Sequence, residues 1–315
     1  MLMGLLALSY LIFHSNDRHL FLKFDSGHGH GYLYYDNGLW TRYLPLERKY
    51  EVTLYYADLS PDGSRIAFKK DSFLYIYDLK SNEIVHLNAE ENYPSNNTRV
   101  QWSPDGSKIG LPCNLEYDAP IEVCAWDVAK GEMQILSDLH AYKKYDSISF
   151  GNYLFFGGWS ADAKTVAFIV SFPEDDSGST LQRILTLDID TGKATEVLDS
   201  QESGLSLYDD IALSPDGKKI LFSGNTLLEE QENDYTAALY QINSDGSGLQ
   251  RLVNYKNWLL FQPVWSPDGS SFYVNASNYY QVIPFRYDGS GRLIGMLPFQ
   301  FGKSILAWRS SEFGK

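Results

Sequence analysis

Hydrophobic and polar residues alternate in short runs separated by polar turns, and no stretch of the chain shows a helical period. The clearest pattern is a strand–turn–strand unit that recurs five times. Its copies are LSPDGSRIAF from Leu59, WSPDGSKIGL from Trp102, WSADAKTVAF from Trp159, LSPDGKKILF from Leu213 and WSPDGSSFYV from Trp265. Each copy is followed by two more strand-like runs, such as LYQIN at 239–243. Four antiparallel strands per repeat are typical of a β-propeller blade.

The repeated turn has a physical explanation in its residue types. Pro presets the backbone for a type I turn, and the Gly that follows Asp takes the left-handed conformation that closes a hairpin. We therefore interpret the Asp residues of these turns as structural and do not count them as a carboxylate site. In the third copy Ala163 replaces the Gly. This predicts either a left-handed alanine or a different turn.

The two ends of the chain supply the remaining blade. Residues 304–315 resemble an inner strand entering a turn, with Trp308 in the place of the repeated Trp. Residues 19–24, 31–38 and 39–44 then read as the second, third and fourth strands. The sequence predicts an all-β fold for residues 17–315: a six-bladed β-propeller of four-stranded antiparallel blades, closed by a blade shared between the N- and C-termini.

Residues 1–16 form a separate apolar N-terminal segment. Its first 13 residues carry no charge and are too few for a comfortable membrane helix, but they suit the apolar region of a signal peptide. A remnant of a signal peptide, a short membrane anchor and an ordinary buried segment would all have this pattern. We expect an exported protein, periplasmic or associated with the cell envelope, with residues 1–13 allowing membrane proximity.

The net charge of −14 argues against nucleic-acid binding, because it repels phosphate backbones and no basic run compensates for it. We expect a monomer. The two cysteines, Cys113 and Cys124, fall on neighbouring antiparallel strands of one blade, offset by about two residues from direct opposition. A disulfide after export and two reduced thiols are both compatible with this placement.

The repeat resembles the WD-like propeller repeats of the TolB family and of the propeller domains that precede prolyl oligopeptidase-type hydrolases. The resemblance rests on WSPDG, a following strand of the type KIAF, a strand ending in Asp and a DxxTG-type turn. It covers nearly all of residues 17–315. It implies a propeller that binds something with one face of the disc, and it marks blades rather than sites.

Candidate catalytic and metal-binding groups are few. Ser160 lies in GWSAD, which lacks the closing Gly of a serine elbow and aligns with the propeller turn. His28 and His30 have a spacing that a metal could use, but no further His or Cys lies close in sequence. The turns at Asp188–Gly192 and Ser244–Gly246 lack the full pattern of a calcium loop. We predict no catalytic residue, metal or cofactor.

The predicted binding site lies on the face of the disc that carries the longer loops. The repeated turns are short and share one face, whereas the connections between blades and the loops after the second strands are long and varied on the other face, where binding usually resides. Aromatic and acidic residues gather there. The candidate ligand-binding residues are Tyr50, Tyr93, Tyr142, Tyr145, Asp146, Tyr208, Asp209, Asp210, Trp258 and Phe261.

Two functions follow from these observations. The first is a non-catalytic binding or scaffolding propeller that recognises a protein, peptide or glycan on the long-loop face. The alternative is an enzyme of the lyase or cyclotransferase type that acts on a polysaccharide or peptide in the central funnel. Clustered aromatic residues favour binding, whereas a lyase should gather His, Arg or Lys with a metal.

Overall fold

The structure of the protein is a computed structural model that describes residues 17–25, 30–36, 41–44, 57–70, 73–87, 99–113, 121–137, 139, 153–173, 180–226, 237–278, 281–296 and 303–309. These residues form six four-stranded antiparallel sheets and one short helix. Across these ranges, no helix is long and apolar enough to cross a membrane. The predicted six-bladed β-propeller is confirmed, whereas the apolar segment 1–16 lies outside the described residues.

Each blade is a meander whose first strand lines the central channel. The blade shared between the two ends of the chain is called the closing blade, and the other five are numbered in chain order from the first complete one. The strands are β1 (Arg18–Asp25), β2 (His30–Asp36) and β3 (Thr41–Leu44) of the closing blade; β4 (Asp58–Leu59), β5 (Arg65–Lys70), β6 (Phe73–Asp78) and β7 (Ile84–His86) of blade 1; β8 (Gln101–Trp102), β9 (Lys108–Cys113), β10 (Glu122–Asp127) and β11 (Glu132–Ile135) of blade 2; β12 (Tyr153–Trp159), β13 (Thr165–Pro173), β14 (Thr180–Asp188) and β15 (Ala194–Asp199) of blade 3; β16 (Leu205–Leu213), β17 (Lys219–Thr226), β18 (Ala238–Asn243) and β19 (Gln250–Val253) of blade 4; β20 (Leu259–Trp265), β21 (Ser271–Asn278), β22 (Gln281–Asp288) and β23 (Leu293–Met296) of blade 5; and β24 (Lys303–Arg309), which completes the closing blade.

The closing blade joins the two ends of the chain, as the sequence predicts. Strand β24 pairs with β1, and His19 lies opposite Trp308. Asn275 of blade 5 fastens this strand from the side, because its amide accepts from the backbone N–H of Ile305 at 2.8 Å and donates to the Ile305 carbonyl at 3.0 Å. Asn275 is fully buried, so these bonds form where water does not compete.

The core lies between neighbouring blades rather than inside each one. In β17, Phe222 packs into the cluster shared with blade 3, whereas the adjacent Leu221 packs into the cluster shared with blade 5. Successive side chains of a strand point to opposite faces of its sheet. Because both faces are covered, the middle strands read as continuous apolar runs.

Two connections differ from the sequence-based prediction. The connections that lead into the inner strands of blades 4 and 5 are among those predicted to be long loops, but β16 begins at Leu205 and β20 at Leu259. A single turn of helix, α1 (Ser200–Ser203), connects β15 to β16, and Asp199 caps it by accepting from the backbone N–H groups of Gln201 and Glu202. The inner strands of blades 4 and 5 are therefore longer than predicted.

Cys113 and Cys124 form a disulfide across β9 and β10. Their Cα atoms are 5.9 Å apart. In the strand register Cys124 lies opposite Leu111, and Cys113 lies opposite Glu122, so the cysteines have the predicted offset of two residues. The bond links the two strands where they enter the 114–120 connection.

Candidate functional site: the central channel

The inner strands bulge at one level of the channel. The pairing of inner and second strands shifts between Phe156 and Gly158 in blade 3, between Leu207 and Ile211 in blade 4, and between Phe261 and Val264 in blade 5. The closing blade has an equivalent shift, because Ala307 and Ile305 lie opposite consecutive residues of β1. Bulges free residues from the ladder and re-aim them, and here they do so beside the channel.

The bulge in blade 4 is the longest of these. Leu207 lies opposite Gly224, and Ile211 lies opposite Phe222. Three residues of β16, Tyr208, Asp209 and Asp210, therefore lie opposite a single residue of β17. Asn225 donates to the Tyr208 hydroxyl oxygen at 3.3 Å. The Tyr208 side chain remains 37% exposed.

Arg99 crosses the channel at this level. Its guanidinium group donates to the carbonyl oxygens of Ile211 in blade 4 and Leu306 in the closing blade, at 3.4 Å each. Arg99, Asp210 and Gln262 each stand three residues before the Trp or Leu of their own repeat. They form one polar layer that blades 2, 4 and 5 contribute.

Asp210 carries the most perturbed acid–base equilibrium of this layer. Burial among the inner strands raises the pKa of Asp210 to about 7 and outweighs the opposing effects of Arg99 and of the backbone N–H of Gln262, while the neighbouring Asp209 raises it further. Burial also raises the pKa of Asp209. The Asp209 side chain is nevertheless partly open to solvent.

The remaining predicted site residues do not all join this group. Trp258 packs edge-on against Phe285 of β22, with ring centroids 6.5 Å apart, and belongs to the core between blades 4 and 5. Phe261 lies in β20 opposite Asn275 and is half-buried. Tyr50, Tyr93, Tyr142, Tyr145 and Asp146 lie outside the described residues, as do His28 and the side chain of His30.

The opposite end of the channel opens into a funnel of about 210 Å³ on the short-turn face. Its rim carries the second residues of the repeated turns, which are Pro61, Pro104, Ala161, Pro215 and Pro267. Arg99 lies at its inner end, and small residues such as Gly157, Gly158, Ala212 and Ala307 line the wall. The sequence pattern does not predict this funnel, because the turns that surround it are all short and alike.

The turn carboxylates around the funnel accept hydrogen bonds from their own turns, in agreement with the structural role predicted for them. In the fourth copy, Ser214 donates to Asp216 at 2.6 Å, and the backbone N–H of Lys218 donates to the same carboxylate at 3.1 Å. The hydrogen bond from Ser214 lowers the pKa of Asp216, burial opposes it, and the bond from Lys218 lowers it further. The other four copies repeat the Ser–Asp hydrogen bond.

Comparisons with known proteins concern the fold. No protein-family model and no curated protein sequence matches the chain. Among solved structures, TolB from Acinetobacter baumannii is similar at 16% identity and a TM-score of 0.61, over 92% of this chain and 66% of that one. This chain thus spans slightly less than two thirds of that TolB.

Two enzymes share the architecture. The oligogalacturonate lyase from Vibrio parahaemolyticus is 14% identical, with a TM-score of 0.55 over 90% of this chain and 74% of its own. The propeller domain of the Trilobed protease from Pyrococcus furiosus is 13% identical, with a TM-score of 0.52 over 89% and 81%. The chain therefore has the TolB-like six-bladed propeller fold that its repeat implied.

Proposed function

We propose that this protein is a non-catalytic binding propeller, exported and monomeric, that recognises a cationic peptide segment of a partner protein at the long-loop end of its channel. The observation that carries the proposal is the bulge of β16, which presents Tyr208, Asp209 and Asp210 together. Carboxylates in a partly dehydrated channel favour amines and guanidinium groups, and a tyrosine ring adds contact area at low entropic cost. A glycan is the second ligand class, because the same groups bind hydroxyls.

Export is supported by the disulfide. A bond between Cys113 and Cys124 forms and persists in oxidising compartments. The uncharged segment 1–13 agrees with this. The net charge of −14 favours a basic partner over nucleic acid or an anionic surface.

The proposal is tested by calorimetric titration with an octalysine peptide, an octaglutamate peptide and a neutral oligosaccharide. We expect octalysine to bind and octaglutamate not to bind. The combined change Tyr208→Ala and Asp209→Asn should weaken octalysine binding by about 2–4 kcal/mol, the range of interface hot spots. Asp190→Asn is the matched control, because Asp190 is 68% exposed on a turn of the short-turn face. Equal losses from both variants would refute the site, and preferential binding of the oligosaccharide would select the glycan.

The enzymatic alternative has one observation in its favour. Asp210, whose pKa is about 7, lies beside Arg99 in the channel, and a carboxyl with that pKa can accept or donate a proton near neutral pH. A lyase would convert a uronate-containing polysaccharide into unsaturated products that absorb ultraviolet light. If such products formed with the wild-type protein and not with Asp210→Asn, the alternative would replace binding as the function.

A further inference from the structure

We infer that Gln182 of blade 3 is a positioning residue for the acidic bulge of blade 4, which consists of Tyr208, Asp209 and Asp210. This role rests on the proposed function, since the ligand of the bulge is the cationic peptide proposed above. Gln182 does not touch that ligand. It holds the backbone of β16 in the conformation in which the three side chains bind together.

The side-chain amide of Gln182 binds the backbone of β16 where the bulge begins. Its nitrogen donates to the carbonyl oxygen of Leu207 at 2.8 Å, and its oxygen accepts from the backbone N–H of Leu207 at 2.8 Å. Leu207 is the last residue of β16 that pairs with β17 before the bulge. A bulge disrupts the ladder of backbone hydrogen bonds, and an amide, which both donates and accepts, supplies partners in its place.

The other end of the bulge is held as well. Ile211, the first residue that pairs again with β17, is buried in the same apolar cluster as Leu207. Its carbonyl oxygen accepts from Arg99 at 3.4 Å. Because both ends are fixed, the three residues between them lose little conformational freedom when they bind, and such preorganisation increases affinity.

The backbone of Gln182 is itself fixed by neighbouring groups. Its N–H donates to the hydroxyl oxygen of Ser200 in α1 at 3.0 Å. The next residue, Arg183, is buried and donates through two nitrogens to the Asp199 carboxylate at 2.8 Å each. The same carboxylate caps α1. The amide of Gln182 therefore reaches Leu207 from a rigid support.

The corresponding contact between blades 4 and 5 does not use a side chain. Ala237 stands in blade 4 where Gln182 stands in blade 3, six residues before the end of the third strand. The backbone of Ala237 donates to the carbonyl oxygen of Trp258 at 3.2 Å and accepts from the N–H of Leu260 at 3.1 Å. The contact between blades 3 and 4 thus depends on the identity of one side chain, which makes it open to substitution.

The test is calorimetric titration of the full chain with octalysine, together with carbon-13 spectra of the side-chain carboxyl groups over a series of pH values. Gln182→Met keeps the length of the side chain and removes both hydrogen bonds. We expect it to weaken octalysine binding by about tenfold or more, because small displacements of positioned groups are costly. Gln134→Met is the matched control and should bind like wild type, since Gln134 is a half-buried glutamine of blade 2 that accepts from Lys108 at 2.8 Å.

The titration of Asp210 separates positioning from a general loss of stability. Burial raises the pKa of Asp210 to about 7, and a bulge released from Gln182 should admit water to this carboxyl. We therefore expect the pKa of Asp210 to fall toward its ordinary value in Gln182→Met and to stay unchanged in Gln134→Met. A loss of stability that left the bulge intact in the folded protein would not change this pKa.

A shorter amide gives a second variant. Gln182→Asn lacks the methylene group needed to reach Leu207, so it should repeat both changes even if Gln182→Met does not fold. Wild-type affinity for octalysine, or an unchanged Asp210 titration, in the folded Gln182 variants would overturn the inference. If the wild-type protein did not bind octalysine, the proposed function would fail, and the Asp210 titration would still decide whether Gln182 positions the bulge.

Discussion

The two ends of the channel are built differently although the same six inner strands line them. At the short-turn end, five copies of one turn repeat the same Ser–Asp hydrogen bond, and small side chains and turn prolines line the funnel that they surround. At the other end, the bulge of β16 presents the acceptors Asp209 and Asp210. Arg99 and Asp210 meet in the layer between them. The two openings of one scaffold thus differ, because one is lined largely by small residues and prolines and the other carries an acidic bulge.

The comparison shows how a repeat can carry function. The turns supply rigidity, because each uses its polar groups internally, and the individual character of a blade enters through substitutions on its inner strand. Arg99 in blade 2 and Asp210 in blade 4 occupy the same place in their repeats, where blade 3 has Phe156. At this position of the inner strand, a residue that differs from its equivalents in the other blades can contact those blades across the channel, as Arg99 does.

The largest expected effect comes from removing the strand that both ends share. Deleting residues 304–315 removes β24, including the buried Ile305 and Trp308, and exposes the edge of β1. We expect loss of the cooperative thermal transition and aggregation, measured by circular dichroism and size-exclusion chromatography. Deleting only residues 312–315 is the control, because it leaves β24 intact. A 304–315 deletion that melts like the full chain would refute closure by this strand.

The disulfide should give the next largest effect, at the long-loop end. Cys113 and Cys124 are 11 residues apart in the sequence. Replacing both by Ala should lower the free energy of unfolding by about 2–3 kcal/mol, which is the entropic estimate for a loop of this length. Urea denaturation measures it, and the wild-type protein under reducing conditions should lose a similar amount. Two reactive thiols in the denatured, unreduced protein would contradict the bond.

The polar layer between the two ends should make stability depend on pH. Because the pKa of Asp210 is raised to about 7 in the folded protein from an ordinary value near 3.8, the folded state binds the extra proton between those values. Stability from this group is therefore present at low pH and falls as the pH rises toward 7, by at most about 1.4 kcal/mol per pH unit for one proton.

Asp210→Asn should remove this part of the pH dependence. Relative to wild type, the variant should gain stability as the pH rises from 4 to 7, measured by urea denaturation at a series of pH values. Asp190→Asn is the control, since its carboxylate is largely exposed. Parallel pH curves for wild type and Asp210→Asn would show that the Asp210 carboxyl does not stay protonated in the folded channel.

The sequence was sufficient for the features that repeat. The turns at Leu59, Trp102 and their equivalents predicted the blades, and counting from the repeated Asp placed Cys113 and Cys124 two residues out of register, as observed. Local chemistry determines such features, so one copy is evidence for the next.

The contacts in the channel could not be predicted from the sequence repeat. Arg99 reaches carbonyls 112 and 207 residues away in sequence, and no local pattern encodes a contact across a ring. The bulges were also missed, so Tyr208 and Phe261 were assigned to connections although they lie in strands. Two signals were present: Gly157–Gly158 and Pro263 stand in strand-like runs, and both residue types often mark bulges there.

The smallest expected effect tests the regularity of the short-turn end. Ala163 adopts φ 57°, the left-handed conformation that the Gly residues of the other copies adopt, as in Gly217 at φ 71°. An alanine there costs roughly 1 kcal/mol relative to glycine. Ala163→Gly should therefore raise the free energy of unfolding by up to about 1 kcal/mol, offset in part by the greater freedom of glycine in the unfolded chain.

The reverse change in the next blade completes this comparison. Gly217→Ala should lower the free energy of unfolding by about 1 kcal/mol or more, because the new Cβ would also lie 3.3 Å from the Cβ of Ser160. Urea denaturation of both variants measures the pair. A gain of stability in Ala163→Gly together with a loss in Gly217→Ala would establish that the third turn has the same structure as the others, under strain. A loss of stability in both variants would mean that the third turn has adapted to its alanine.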